Sequence, residues 1–203
     1  LSTLLSTAAL DKSQQSRQRG MTLDLGFSCF FLDMPDHLKE LYPDKTTLQI
    51  TLVDCPGHAS LIRTIIGGAQ IIDMVLLVVD SVKGWQAQTT ECLVLAELTS
   101  PHLVVALNKA DQYAEEEREA KLRVASEKVR SRLRGRFEDS PIVGVAACIG
   151  GAKVAATDQD HASGPANETY NMDALVQILH DKLPPPKRSN TGSFYFSVDH
   201  CFP

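Results

Sequence analysis

The sequence predicts an α/β fold built on a mostly parallel sheet flanked by helices, and three observations predict it. The runs "MVLLVVD" (74–80), "LVVALN" (103–108) and "IVGVAA" (142–147) are apolar at nearly every position, as strands are when helices cover both faces of their sheet. Stretches long enough for crossover helices separate them. Unusual polar residues collect where such runs end, which is where open α/β sheets bind their ligands.

Ahead of these runs, "FSCFFL" (27–32) and "TLQITLVD" (47–54) are rich in β-branched and aromatic residues. The prolines and charges of "DMPDHLKELYPDK" between them read as a loop, so the pair predicts a hairpin. "HASLIRTIIGGAQ" (58–70), "QAQTTECLVLAELT" (86–99) and "YAEEEREAKLRVASEKVRSRLRGRF" (113–137) predict helices, with Trp85 packing at the start of the second. Acids lead and bases trail in the third, an order that complements the helix dipole and reads as a solvated outer face. The small, polar stretch 150–169 predicts a surface loop before a last helix at "MDALVQILHDKL". "PPPKRSNTGS" (184–193) reads as a linker, and "FYFSVDHCF" after it as a strand of a second, β-rich domain.

Composition narrows the function classes. A chain of 203 residues that is 43% hydrophobic can bury a full core. Its net charge of −5 provides no global electrostatic footprint for nucleic acid. Five scattered cysteines form no C-x-x-C pair or disulfide framework, which fits reduced thiols in a cytoplasmic protein. Neither a bilayer-spanning apolar run nor a signal peptide is recognisable, and the six histidines show no zinc-ligand spacing, so no membrane partner and no zinc are expected.

Two short motifs carry chemistry. In "NKAD" (108–111), directly after an apolar run, Asp111 offers a carboxylate that can accept both N1–H and N2–H₂ of guanine. Adenine presents an acceptor at N1 and would leave that carboxylate unpaired. Asn108 can contact the N7 side of the base or brace the loop, and the methylene stem of Lys109 can lie along the ring. In "DCPGH" (54–58), Asp54 suits Mg²⁺ held through water, Gly57 can bring a backbone N–H close to a terminal phosphate, and His58 can orient a water. A plain Pro-Gly turn followed by a surface histidine fits the same letters, and Cys55 reads as a small filler rather than a nucleophile.

Taken together these segments resemble the GTP-binding domain of a translational GTPase, a P-loop-NTPase-like fold. "RGMTLDLGF" (19–27) resembles the first switch, which implies Thr22 on Mg²⁺; "DCPGH" resembles the second, which implies His58 as the catalytic residue orienting water. "NKAD" resembles the guanine-specificity loop, and "VAACIG" (145–150) the last motif, where an amide near Ala146 and Ala147 would meet guanine O6. The resemblance implies GTP or GDP and Mg²⁺ as ligands. "RGMTLDLGFSCF" and "SVDHCF" are similar to the eukaryotic selenocysteine-specific elongation factors. That implies selenocysteinyl-tRNA and the ribosome as partners of the intact protein, with a selenocysteine-insertion RNA element or its binding protein beside them. Another translational GTPase, of the general elongation or initiation type, or a truncated non-catalytic remnant, are the alternatives.

One departure from the family pattern stands out. No G-x-x-x-x-G-K-[ST] occurs in the 203 residues, and "LSTLLSTAALDKSQQ" resembles the helix that follows that loop. With Leu1 in place of a starting Met, the expectation is a domain truncated at its N-terminus, past the phosphate loop and first strand. The expected organisation is residues 1–183 as GTP-binding domain truncated before its first helix, 184–192 as linker, and 193–203 as the first strand of a β-barrel domain. Such a piece, made alone, is expected neither to hydrolyse GTP measurably nor to fold stably, since that loop supplies much of the anion site.

Overall fold

The computed structural model describes residues 26–54, 72–150 and 168–186. Strand β1 (Gly26–Asp33) pairs antiparallel with β2 (Thr47–Asp54), with Gly26 opposite Asp54 and Asp33 opposite Thr47, as the predicted hairpin requires. Its connection is not a plain loop, because a short helix α1 (Asp36–Lys39) forms within it. Pro35 carries the φ of −61° that a helix start needs, and the turn buries Leu38 to 1% exposure. His37 Nε2 is 2.9 Å from the Leu183 carbonyl oxygen, which ties this hairpin tip to the far end of the described chain.

Strands β3 (Val75–Asp80), β4 (Leu103–Asn108) and β5 (Ile142–Gly144) form a separate parallel sheet in the order β3-β4-β5. Helix α2 (Ala87–Thr99) connects the first two, and Gln86 with Thr89 forms its capping box. Trp85 packs against the core at that helix start, as expected, and donates from Nε1 to Thr90 Oγ1 at 2.8 Å. Helix α3 (Glu115–Arg130) follows β4, and α4 (Met172–Lys182) closes the described fold.

The near-continuous apolar runs owe their pattern to two-sided burial. Leu103, Val105 and Leu107 of β4 join a core with Leu93 of α2 and Val129 of α3. Val104 and Ala106 of the same strand face the opposite way and pack with Leu175 and Leu179 of α4. Both faces of β4 are therefore dry, and every residue from 103 to 107 is buried.

Two elements are shorter than their sequence suggests. Helix α3 stops at Arg130 instead of running to 137, because Arg130 Nη1 donates to the carbonyls of Glu138 at 2.6 Å and Ser140 at 2.7 Å, turning the chain back. Gly135, at φ 61°, makes that reversal without a Cβ penalty, and the 3₁₀ turn Gly135–Phe137 buries Phe137 completely. Strand β5 ends at Gly144, after which Ala146 leaves the parallel ladder and exchanges two hydrogen bonds of 2.9 Å with Tyr170. The stretches 58–70 and 194–202, read as a helix and a strand, lie outside the described residues.

Candidate functional site

Strands β3 and β4 end side by side, with Asp80 paired in register to Asn108, and the chain after β5 folds back against them. Asn108 Oδ1 accepts the Ala147 N–H at 3.2 Å, so this side chain braces the neighbouring turn. Lys109 then adopts a left-handed conformation, φ 67° and ψ 33°, which is uncommon outside glycine. That reversal drives Ala110 into the interior, where its N–H donates to the Val145 carbonyl at 3.1 Å. The 3₁₀ turn Ala110–Gln112 carries Asp111, whose Oδ2 accepts the Gly150 N–H at 3.1 Å. Gly150 makes this contact at φ 76°, again a glycine conformation.

The loop is clamped from behind. Arg118 of α3 donates from Nε to the Ala110 carbonyl at 3.1 Å, and its guanidinium stacks 4.8 Å from the centre of the Tyr170 ring. Tyr170 is the residue bridged to Ala146, so one arginine ties both halves of the cluster together. Asn171, left-handed at φ 57°, adds a bond from Nδ2 to the Gly144 carbonyl at 2.9 Å. The Ala146 and Ala147 amides are engaged by Tyr170 and Asn108, whereas the Cys148 amide has no hydrogen bond among the described residues. Cys148, half-buried, directly follows the two amides that the sequence pointed to.

At the β3 end, Asp80 Oδ2 pairs with Lys109 Nζ at 2.8 Å, while Oδ1 accepts the amides of Val82 at 3.0 Å and Lys83 at 2.9 Å. Partial burial raises the Asp80 pKa, but Lys109 and the Lys83 and Val82 amides together outweigh it and hold the carboxyl below its ordinary value of 3.8. A depressed carboxyl stabilises the fold above its unfolded-state value and loses that contribution as pH falls through the lower folded-state one. The Asp80 carboxyl is accordingly expected to titrate below its ordinary value, and the Asp80–Lys109 link to be lost only as pH falls through that lower value, as an NMR titration of the Asp80 carboxyl would record.

Asp54, half-buried, closes β2 opposite Gly26. Thr22, Gly57 and His58 lie outside the described residues. The structure therefore brings Asn108, Lys109, Asp111, Ala146 and Ala147 together, and sets Asp54 at the hairpin end. Asp80, Arg118, Tyr170 and Gly150 are additions. Asp80 could have been found from the sequence, because it closes its apolar run just as Asp54 does. Arg118 and Tyr170 had no local signal.

Among the described residues no helix is long and apolar enough to cross a membrane, and no three His, Cys, Asp or Glu side chains converge as a metal site.

Residues 3–185 match the family described as Elongation factor Tu GTP binding domain. The selenocysteine-specific elongation factor of Mus musculus is 47% identical over 203 residues, all of this chain and 33% of the mouse protein. The protein of the same name from Methanocaldococcus jannaschii is 45% identical over 117 residues, 58% of this chain and 22% of that one. The chain thus spans about a third or less of the length of these relatives. Among solved structures, a bacterial selenocysteine-specific elongation factor, EF-Sec, superposes with a TM-score of 0.55 at 29% identity, over 71% of this chain and 22% of its own. The elongation factor SelB of Methanococcus maripaludis, in complex with the GTP analogue GppNHp, superposes with a TM-score of 0.57 at 23% identity. It covers 90% of this chain and 34% of its own, and at that identity it speaks to the fold. With the match running over nearly its whole length, the chain belongs to the elongation factor Tu GTP-binding domain family.

Proposed function

We propose that the cluster at the ends of β3, β4 and β5 binds the guanine base of GTP or GDP, in a protein that delivers selenocysteinyl-tRNA to the ribosome. The observation that carries this reading is the joint placement of Asp111 and Asn108 against the Ala147–Gly150 turn. Asp111 accepts guanine N1–H and N2–H₂, the Cys148 amide meets O6, and the Lys109 stem lies along the ring. Asp54 and Thr22 hold Mg²⁺, with Gly57 sensing the terminal phosphate and His58 orienting the attacking water. When bound, Mg²⁺ neutralises charge on the phosphate oxygens. Residues 1–183 serve as the GTP-binding domain, 184–192 as a linker and 193–203 as the start of a β-barrel domain, and the protein acts in the cytoplasm. The identity to the mouse factor over the whole chain supports the selenocysteine branch over general elongation or initiation factors.

Binding of the intact protein to GTP and to inosine triphosphate, which lacks the N2 amino group, tests the base site. Losing one hydrogen bond to a carboxylate is expected to weaken binding about ten- to a hundredfold, and equal affinities would reject the site. Affinities for selenocysteinyl-tRNA and ordinary aminoacyl-tRNAs test the branch, which fails if they are the same.

A further inference from the structure

Asp80 lies outside every motif that the family resemblance supplies, yet it touches the centre of the base-binding cluster. Its Oδ1 is fixed by the amides of Val82 and Lys83, and with that oxygen held, Oδ2 meets Lys109 Nζ at 2.8 Å. Lys109 begins in a left-handed turn beyond β4 and ends at the terminus of β3, so its stem crosses the carboxyl edge of the sheet between two neighbouring strands. The Asp80 side chain is 18% exposed and the Lys109 side chain 46%. A lysine that open to solvent would otherwise spread over many rotamers. Anchored at both ends, it becomes a fixed shelf beside Asn108 and Asp111.

We propose that Asp80 is a positioning residue for the nucleotide base, acting through Lys109 by holding its stem in the plane-stacking orientation before nucleotide arrives. The proposal rests on the guanine reading above. A purely structural Asp80 would act through the turn at Val82 and Lys83 alone, and the two roles separate in a double-mutant cycle. Asp80→Asn keeps an oxygen for the two amides and removes the charge that anchors Lys109.

The test uses the intact protein with Asp80→Asn, Lys109→Gln and the double substitution. It reads dissociation rates of GDP and of inosine diphosphate by stopped-flow fluorescence, alongside the thermal midpoint without nucleotide. Asp80→Asn is expected to speed release of both nucleotides about fivefold to tenfold, equally for each because the stem touches no exocyclic group, with the midpoint little changed. In the Lys109→Gln background the same substitution is expected to add nothing. An unchanged rate, or an undiminished effect without Lys109, overturns the proposal while leaving the guanine site standing. Failure of the wild-type protein to prefer GDP over inosine diphosphate overturns the guanine reading and this proposal with it.

Discussion

Asp111→Asn in the intact protein is expected to weaken GTP binding at least about a hundredfold and to raise affinity for xanthosine triphosphate by a comparable factor. Each guanine donor on a carboxylate contributes about 1.5–3 kcal/mol, and the substitution discharges both bonds while turning an amide N–H toward the N2 amino group. Xanthine carries a carbonyl there, which accepts that N–H, and it keeps the N1–H for the remaining oxygen. The variant's oxygen can still accept the Gly150 amide, so the loop should hold its shape. Equilibrium titration with both nucleotides checks the exchange, and unaltered GTP affinity would remove Asp111 from the base site.

Phe137→Ala has the largest effect expected on stability. Phe137 is fully buried in the cluster formed with Leu107 of β4, Val129 near the end of α3 and Leu133 just beyond that helix. Truncating a buried phenylalanine costs about 3–5 kcal/mol through lost transfer energy and the cavity left behind. That is a large fraction of the roughly 5–15 kcal/mol that holds a domain folded. The thermal midpoint of the intact protein is expected to fall by about 10 °C or more. A loss under about 1 kcal/mol in urea unfolding would mean that the α3–β5 connection collapses around the gap.

Strands were the most legible part of the sequence. Leu103 to Asn108 reads as a strand because two-sided burial forces an unbroken apolar run, and no helix of that length would need one. Asn108, Lys109 and Asp111 were legible for a related reason: polar residues directly after a dry strand stand at the sheet edge. What escaped were features created by contacts far apart in the chain. Helix α3 stops at Arg130 because that side chain finds two carbonyls eight and ten residues away, a fact that helix propensity does not contain. The run 142–147 breaks at Gly144 because Tyr170 captures Ala146. Arg118 became part of the site only when α3 folded back over the loop that precedes it.

The bond between His37 and the Leu183 carbonyl spans 146 residues. During synthesis at about 5–20 residues per second, this separation corresponds to roughly seven to thirty seconds between the emergence of the two partners. A two-stranded hairpin is marginal in water by itself. Until the last helix arrives, the β1–β2 hairpin lacks its His37 contact with Leu183, and a hairpin that has not yet docked is prone to pairing with other nascent chains. Slow elongation between residues 54 and 183 would lengthen that interval, so yield on expression should depend on the speed of the ribosome as well as on the stability of the finished fold.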